Sequence, residues 1–322
     1  MRASSVEEIL GLQAQIPDAD KYAFKRYFLI DAAVQRPMLP YEDGAVSYIQ
    51  QPPLDGSAIA VWLYVIDDAE IIRSEHRTLV RADDAELLFT AGITSEGADS
   101  EAQTRGILED YSASLSAEGL SIADNCVRTW FHCRDIDDRY AGLVKARKEF
   151  FDTVGLTAQT HYLASTGIAG TSPVSGALVQ MDALAVSGNF SQRYLYGATH
   201  LNPTWEYGVT FERGVKVDFA GKSHTLISGT ASIDNKGRVL HIGDVASQTM
   251  RMIENVEVLL AEARSGWKSV KQILVYLRNA KDYRVIAPIF EKRFPDIPFI
   301  ITLAPVCRPD WLIEMECMAV KS

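Results

Sequence analysis

The chain has 322 residues, 47% of them hydrophobic and 23% charged, with a formal net charge of −10. That composition excludes a disordered or collagen-like chain. The acidic balance argues against a surface that holds nucleic acid or membrane nonspecifically, and no apolar run reaches the length of a membrane span.

The first residues, MRASSVEEILGLQAQ, carry acids where a secretory leader would have its apolar stretch, so they read as a short helix or an ordered tail. The four cysteines, Cys126, Cys133, Cys307 and Cys317, form no CxxC pair and no metal-like cluster with the six histidines. A reducing, cytoplasmic setting is therefore expected.

A Pro/Gly turn region, AVSYIQQPPLDGS (45–57), precedes an apolar strand, AIAVWLYVI (58–66). From there two stretches repeat each other. LLFTAGITS (87–95) resembles TLISGTASI (225–233), each a strand carrying a glycine. Residues 101–135 and 246–279 each contain Gln-Thr, then apolar residues at helical spacing, then a strand, VRTWFHCRD or ILVYLRN. A second helix follows in each, AGLVKARKEFF (141–151) and VIAPIFEKRF (285–294). Next come HYLASTGIAG (161–170) and FIITLAPVCRP (299–309), and each copy closes on a strand, LVQMDALAV (178–186) or LIEMECMAV (312–320).

Strands alternating with helices predict an α+β architecture: two tandem units, each a mixed sheet with two helices on one face. The expected divisions are an N-terminal helix or extension at 1–44, a first unit at 45–187 serving as scaffold, a linker at 188–205, and a catalytic second unit at 206–322. The strand at 58–66 is assigned to the first unit, and 207–219 to the second.

The copies differ where chemistry is possible. Alternation puts Glu314, Glu316 and Met318 on one face of the last strand. The first copy has Gln180 and Asp182 at the matching places. A glutamate can exchange a proton at useful pH and a glutamine cannot, although a strand glutamate more often faces solvent. The preceding turn, APVCRPDW, brings Cys307, Arg308 and Trp311 close to Glu314, as a pocket wall or as a loop with a buried thiol. Arg128, Arg134 and Arg278 sit at strand ends, where two arginines would suit a dianion and any one would suit a surface ion pair. Tyr196 and Tyr207 are candidate hydroxyl donors, and His132 reads as a core or edge histidine.

These residues carry a resemblance. APVCRPDWLIEMECMAV is similar to the last turn and strand of the RidA (YjgF) superfamily. With QPPLDGSAIAVWLY, VRTWFHCRDIDDRYAGLVKARKEFF, STGIAG, SGTAS and GDVASQT, residues 45–320 resemble the chorismatases, which are two fused RidA-like units. The resemblance implies removal of pyruvate from chorismate, giving a hydroxybenzoate or a dihydroxycyclohexadiene carboxylate, without metal or organic cofactor. It implies that Glu314 is the catalytic acid, that Arg128 and Arg278 hold carboxylates, and that Gly229 and Ala231 line the pocket; Tyr207, near the linker, is a further substrate-binding candidate. Cys307 is similar to the branch that makes 3-hydroxybenzoate. The chain departs from the family between the units, where it reads RYLYGATHLNPTWEYGVTFERG, and after SGTAS, which continues IDNKGRVLHIGD.

The expected partner is a small carboxylated anion such as chorismate. Neither nucleic acid nor membrane is expected, and the assembly is a monomer of repeats or a small homo-oligomer. The competing readings are a RidA-type imine or enamine hydrolase and a non-catalytic metabolite-binding protein.

Overall fold

The computed structural model describes residues 1–16, 21–66 and 69–321. Residues 17–20 of the expected extension, and 67–68 and 322 of the two expected units, lie outside them. Three sheets make up the described fold.

The N-terminal sheet contains β1 (Arg2–Ala3), β2 (Tyr22–Leu29), β3 (Val46–Gln50) and β4 (Ile59–Val65), in the order β1-β4-β2-β3. Helix α1 (Val6–Gln13) lies between its first two strands, and the short α2 (Ala32–Gln35) follows β2. Ser5 caps α1 by accepting from the Glu8 amide, which satisfies one of the free N–H groups of the first turn.

The second sheet contains β5 (Glu70–Ser74), β6 (Arg77–Ala82), β7 (Ala85–Ile93), β8 (Cys126–Cys133), β9 (Ala164–Ala169) and β10 (Val179–Gly188), ordered β5-β6-β7-β10-β8-β9. Helices α3 (Ser100–Ser116), the short α4 (Ile122–Asn125) and α5 (Ile136–Thr153) belong to it. The third sheet repeats that order with β11 (Phe190–Leu195), β12 (Gly214–Phe219), β13 (Lys222–Ala231), β14 (Val270–Leu277), β15 (Phe299–Leu303) and β16 (Ile313–Lys321), running β11-β12-β13-β16-β14-β15. Its helices are α6 (Val245–Glu262) and α7 (Tyr283–Arg293).

The α+β architecture of repeated sheets is therefore as expected, with three departures. First, the strand at 58–66 pairs with β1 and β2 and not with the second sheet. It is the closing strand of an N-terminal unit that has only the last four strands of the pattern. Its pairings match those of β13, β16, β14 and β15: two antiparallel contacts, then one parallel contact. Second, the expected extension contains β2, which is buried along its whole length and shows no alternation to betray a strand. Third, part of the expected linker is the edge strand β11, paired with β12 from Phe190↔Phe219 to Leu195↔Gly214. A β5–β6 hairpin also precedes β7.

The three sheets close on one another in a ring. Gln50 at the end of β3 bridges Thr171, Ile168 of β9 bridges Val306, and Thr302 of β15 bridges Pro53. Each bridge joins the edge of one sheet to the turn before the closing strand of another. A single apolar core drawn from all three sheets fills the middle. At its centre Phe24 contacts Trp62 at 5.1 Å and Trp130 at 5.9 Å between ring centroids. Such aromatic pairs add about 0.5–1.5 kcal/mol each beyond the area they bury.

Candidate active site

The second and third sheets meet around a cavity of about 610 Å³. Glu314 of β16 lies on its wall. The adjacent strand β13 shifts register against β16 between Ile227 and Thr230. That irregularity brings Gly229 against the Glu314 carboxyl: a Cβ built on Gly229 would lie 2.1 Å from Oε1. Only glycine leaves the carboxyl its place.

Glu314 is 4% exposed. Burial pushes its carboxyl up to about 8, and the neighbouring Glu316 adds to the rise, while Arg128 and Arg213 oppose it. A carboxyl held this way is protonated at neutral pH and can donate.

A buried ion pair lies beneath it. Arg128 of β8 donates through Nη2 to Glu316 Oε2 at 2.7 Å and to Thr166 Oγ1 at 2.6 Å. Trp130 Nε1 donates to Glu316 Oε1 at 2.9 Å, and Thr166 also donates to Glu316. The Gly229 amide donates to Thr166 Oγ1 at 2.9 Å. Glu316 is thus neutralised in place, and its charge still discourages ionisation of Glu314.

The structure brings Glu314, Cys307, Gly229, Ala231 and Tyr207 to this one cavity. Cys307 is half-buried, with its thiol pushed up to about 12 chiefly by burial, so it is a neutral wall group and not a nucleophile. Tyr207 is packed between two guanidinium groups, Arg308 at 4.6 Å and Arg213 at 5.4 Å from its ring centroid.

Two expected contacts are corrected. Arg128 is not in the lining of this cavity: it pairs with Glu316 and donates to Thr166 and to Ser228 Oγ. Arg278 is likewise engaged elsewhere. It pairs with Asp137 at 2.9 and 3.0 Å and donates to the carbonyls of Val306, Arg308 and Trp311. Its role is to pin the turn that carries Cys307, Arg308 and Trp311. Gln248, from the Gln-Thr pair of α6, fixes the same turn: its amide donates to the Asp310 carbonyl at 2.8 Å and accepts from the Leu312 N–H at 2.9 Å.

The cations that do reach the cavity were not singled out in the sequence, except Arg308. Arg147 of α5 is 1% exposed. Its Nε donates to Thr210 Oγ1 at 3.2 Å, and its Nη2 has no hydrogen-bond partner. Arg213 is 3% exposed and donates twice to the Asn202 carbonyl, at 3.2 and 2.9 Å. Among the described residues neither has a carboxylate partner, whereas the lysines in the lining, Lys145 and Lys148, pair with Glu101 and Asp152. Two buried arginines without counter-charges favour an anionic occupant. Arg147 and Tyr140 of α5 and Thr166 and Gly167 of β9 belong to the unit expected to be scaffold, which therefore supplies part of the wall.

The comparisons with known proteins agree with this architecture. The family described as Endoribonuclease L-PSP matches residues 218–321. The 3-aminoacrylate deaminase RutC of Acinetobacter baylyi is 30% identical over 96 residues, covering 29% of this chain and 75% of that protein. A RutC family protein of Pyrococcus abyssi is 31% identical over 98 residues, covering 30% of this chain and 77% of its own length. The chain belongs to the RutC family. Beyond that shared unit, the 3-hydroxybenzoate synthase of Streptomyces hygroscopicus is 25% identical over 281 residues, covering 80% of this chain and 79% of that protein. A chorismatase crystal structure superposes with a TM-score of 0.70 at 18% identity, covering 95% of this chain and 96% of that chain. The expected resemblance to a chorismatase built from RidA-like units is borne out. No helix among the described residues is long and apolar enough to cross a membrane.

Proposed function

We propose that this protein removes pyruvate from chorismate, with Glu314 as the general acid. The observation that carries the reading is a buried carboxyl, protonated near neutral pH, facing a cavity that also holds two arginines without acid partners. Chorismate has an enolpyruvyl ether and two carboxylates. Transfer of the Glu314 proton to the enol methylene forms a C–H bond and leaves an oxocarbenium-like centre on the ether carbon. In this reading the guanidinium groups of Arg147 and Arg213 hold the two carboxylates and keep that carbon near the acid, a role supported by their position in the cavity lining. General acid catalysis of this kind contributes about 10²–10⁴-fold.

Two outcomes follow from the cation. Capture by water gives a hemiketal, which collapses to pyruvate and a dihydroxycyclohexadiene carboxylate. Loss of pyruvate with rearrangement inside the ring, consuming no water, gives a hydroxybenzoate. The neutral thiol of Cys307 on the cavity wall and the similarity to a 3-hydroxybenzoate synthase over 80% of this chain support the second course, with 3-hydroxybenzoate as product. The similarity to RutC extends over 29% of this chain and that to the 3-hydroxybenzoate synthase over 80%, which favours this reading over a RidA-type imine hydrolase.

The test is incubation of the purified protein with chorismate, followed by assay of pyruvate and chromatography of the ring product. Pyruvate in equal amount to 3-hydroxybenzoate is expected. A non-aromatic diol would reject the rearrangement, and no pyruvate would reject the reaction.

A further inference from the structure

The contact between the N-terminal sheet and the second sheet repeats the geometry of the active cavity one step around the ring. There a cavity of about 270 Å³ is lined by Arg36, Tyr48, Gly92, Val174 and Gln180, among others. Gln180 stands on β10 where Glu314 stands on β16: the first pairs across its sheet with His132 of β8, the second with Tyr276 of β14. Gly92 lies in a register shift of β7 against β10, as Gly229 does in that of β13 against β16. Val174 belongs to the turn before β10, the counterpart of the turn that carries Cys307.

The polar groups of this cavity are only partly satisfied. Arg36 has no carboxylate partner among the described residues. Its guanidinium lies 4.2 Å from the Tyr48 ring centroid and donates once, to the Leu39 carbonyl at 3.2 Å. Tyr48 is 9% exposed and its buried hydroxyl has no hydrogen-bond partner. The Gln180 amide nitrogen donates to Ser47 Oγ and the Tyr48 carbonyl, which leaves its oxygen as an acceptor. Of the two acids in the lining, Glu42 is neutralised by Lys25 and accepts from the Tyr27 hydroxyl at 2.7 Å, while Glu75 is a largely exposed side chain 3.9 Å from His76.

We propose that this second cavity binds a hydroxylated aromatic monocarboxylate of one ring and does not turn it over. Arg36 pairs with the carboxylate, the Tyr48 hydroxyl hydrogen-bonds to it, the ring packs on Val46, Pro173 and Val174, and the ring hydroxyl donates to the Gln180 oxygen. With Arg36 alone where the larger cavity has Arg147, Arg213 and Arg308, and with less than half the volume, the site suits a monoanion smaller than the occupant of the larger cavity. With glutamine in place of glutamate it has no acid there to start the reaction. The proposal stands on these groups and does not depend on the reaction assigned to the larger cavity.

The experiment is calorimetric titration of the full chain with 3-hydroxybenzoate, comparing the wild type with Arg36→Ala and with Val174→Trp. Both positions lie away from the larger cavity, and Val174→Trp fills the smaller one from an exposed site without removing a charge. Each variant is expected to lose one equivalent of bound 3-hydroxybenzoate, whatever the turnover of the larger cavity proves to be. Binding curves that coincide for the three proteins, or a wild type that binds none, would overturn the proposal.

Discussion

Strands β10 and β16 occupy matching places in two sheets and share a sequence pattern, yet their surroundings differ. Over β16 a carboxyl faces a large cavity with two buried arginines that lack acid partners. Over β10 an amide faces a cavity less than half that size, with a single free arginine. The carboxylates two residues further along are treated alike. Glu316 is tied to Arg128 at 2.7 Å, and Asp182 to Arg26 at 2.7 Å. Burial of the ion pair is therefore common to both interfaces and belongs to the fold. What distinguishes the interface assigned the chemistry is the unpaired acid above the pair and the number of cations left for a ligand.

The two interfaces should differ most in their response to loss of those cations. Replacing both Arg147 and Arg213 by Ala is expected to cut kcat/KM for chorismate by about 10³-fold, and either alone by about 10–100-fold, since each charge-assisted contact is worth about 1.5–3 kcal/mol. Steady-state kinetics checks this, with the loss residing mainly in KM. Equal values for wild type and double variant would remove the arginines from the site.

A smaller effect is expected from Gly229→Ala. The added methyl collides with the Glu314 carboxyl and with Thr166 Cγ2, which lies 3.0 Å from the built Cβ. The carboxyl must turn away, so kcat should fall by about 10-fold, a loss of about 1.4 kcal/mol in transition-state stabilisation, with KM little changed. A matching Gly92→Ala change should leave kcat unaltered, because no catalytic carboxyl lies against Gly92.

The pH response is the mildest test. The carboxyl of Glu314 must be protonated to act, so kcat should fall as pH rises through about 8. The same group destabilises the fold at high pH. Its ordinary value is 4.5, so between 4.5 and about 8 the unfolded chain releases a proton that the folded chain keeps, and stability falls as pH rises through that window. Glu314→Gln should therefore raise Tm, with no gain below pH 4.5 and the largest gain above about 8. Thermal scans across pH would show it.

Much of this was legible in the sequence, and the reasons are local. The two complete units announce themselves because β10 and β16 both had to keep apolar alternation and a carboxylate for the buried ion pair. The truncated N-terminal unit did not, because its closing strand AIAVWLYVI has no polar residue to align and β2 buries even Lys25 and Arg26. Glu314 and Cys307 are legible together because they lie within eight residues at the start of the last strand, Gly229 and Ala231 join them through the resemblance to the chorismatases, and Tyr207 stands out as a candidate hydroxyl beside the linker. The protein partners of Arg128 and Arg278 are not legible in the sequence, because a strand-end arginine reads alike whether it meets a ligand, a buried glutamate or a turn of carbonyls. Arg147 was hidden among the charges of α5. Its signal was helical spacing: Leu143, Arg147 and Phe151 fall on one buried face, where an arginine needs a partner or a ligand.

The role of Glu314 as proton donor is checked by measuring pyruvate release from chorismate by the wild type and Glu314→Gln side by side at neutral pH. Rapid release by the wild type is expected, with a loss of about 10²–10⁴-fold in the variant, which should remain folded. Equal rates in the two proteins would contradict it.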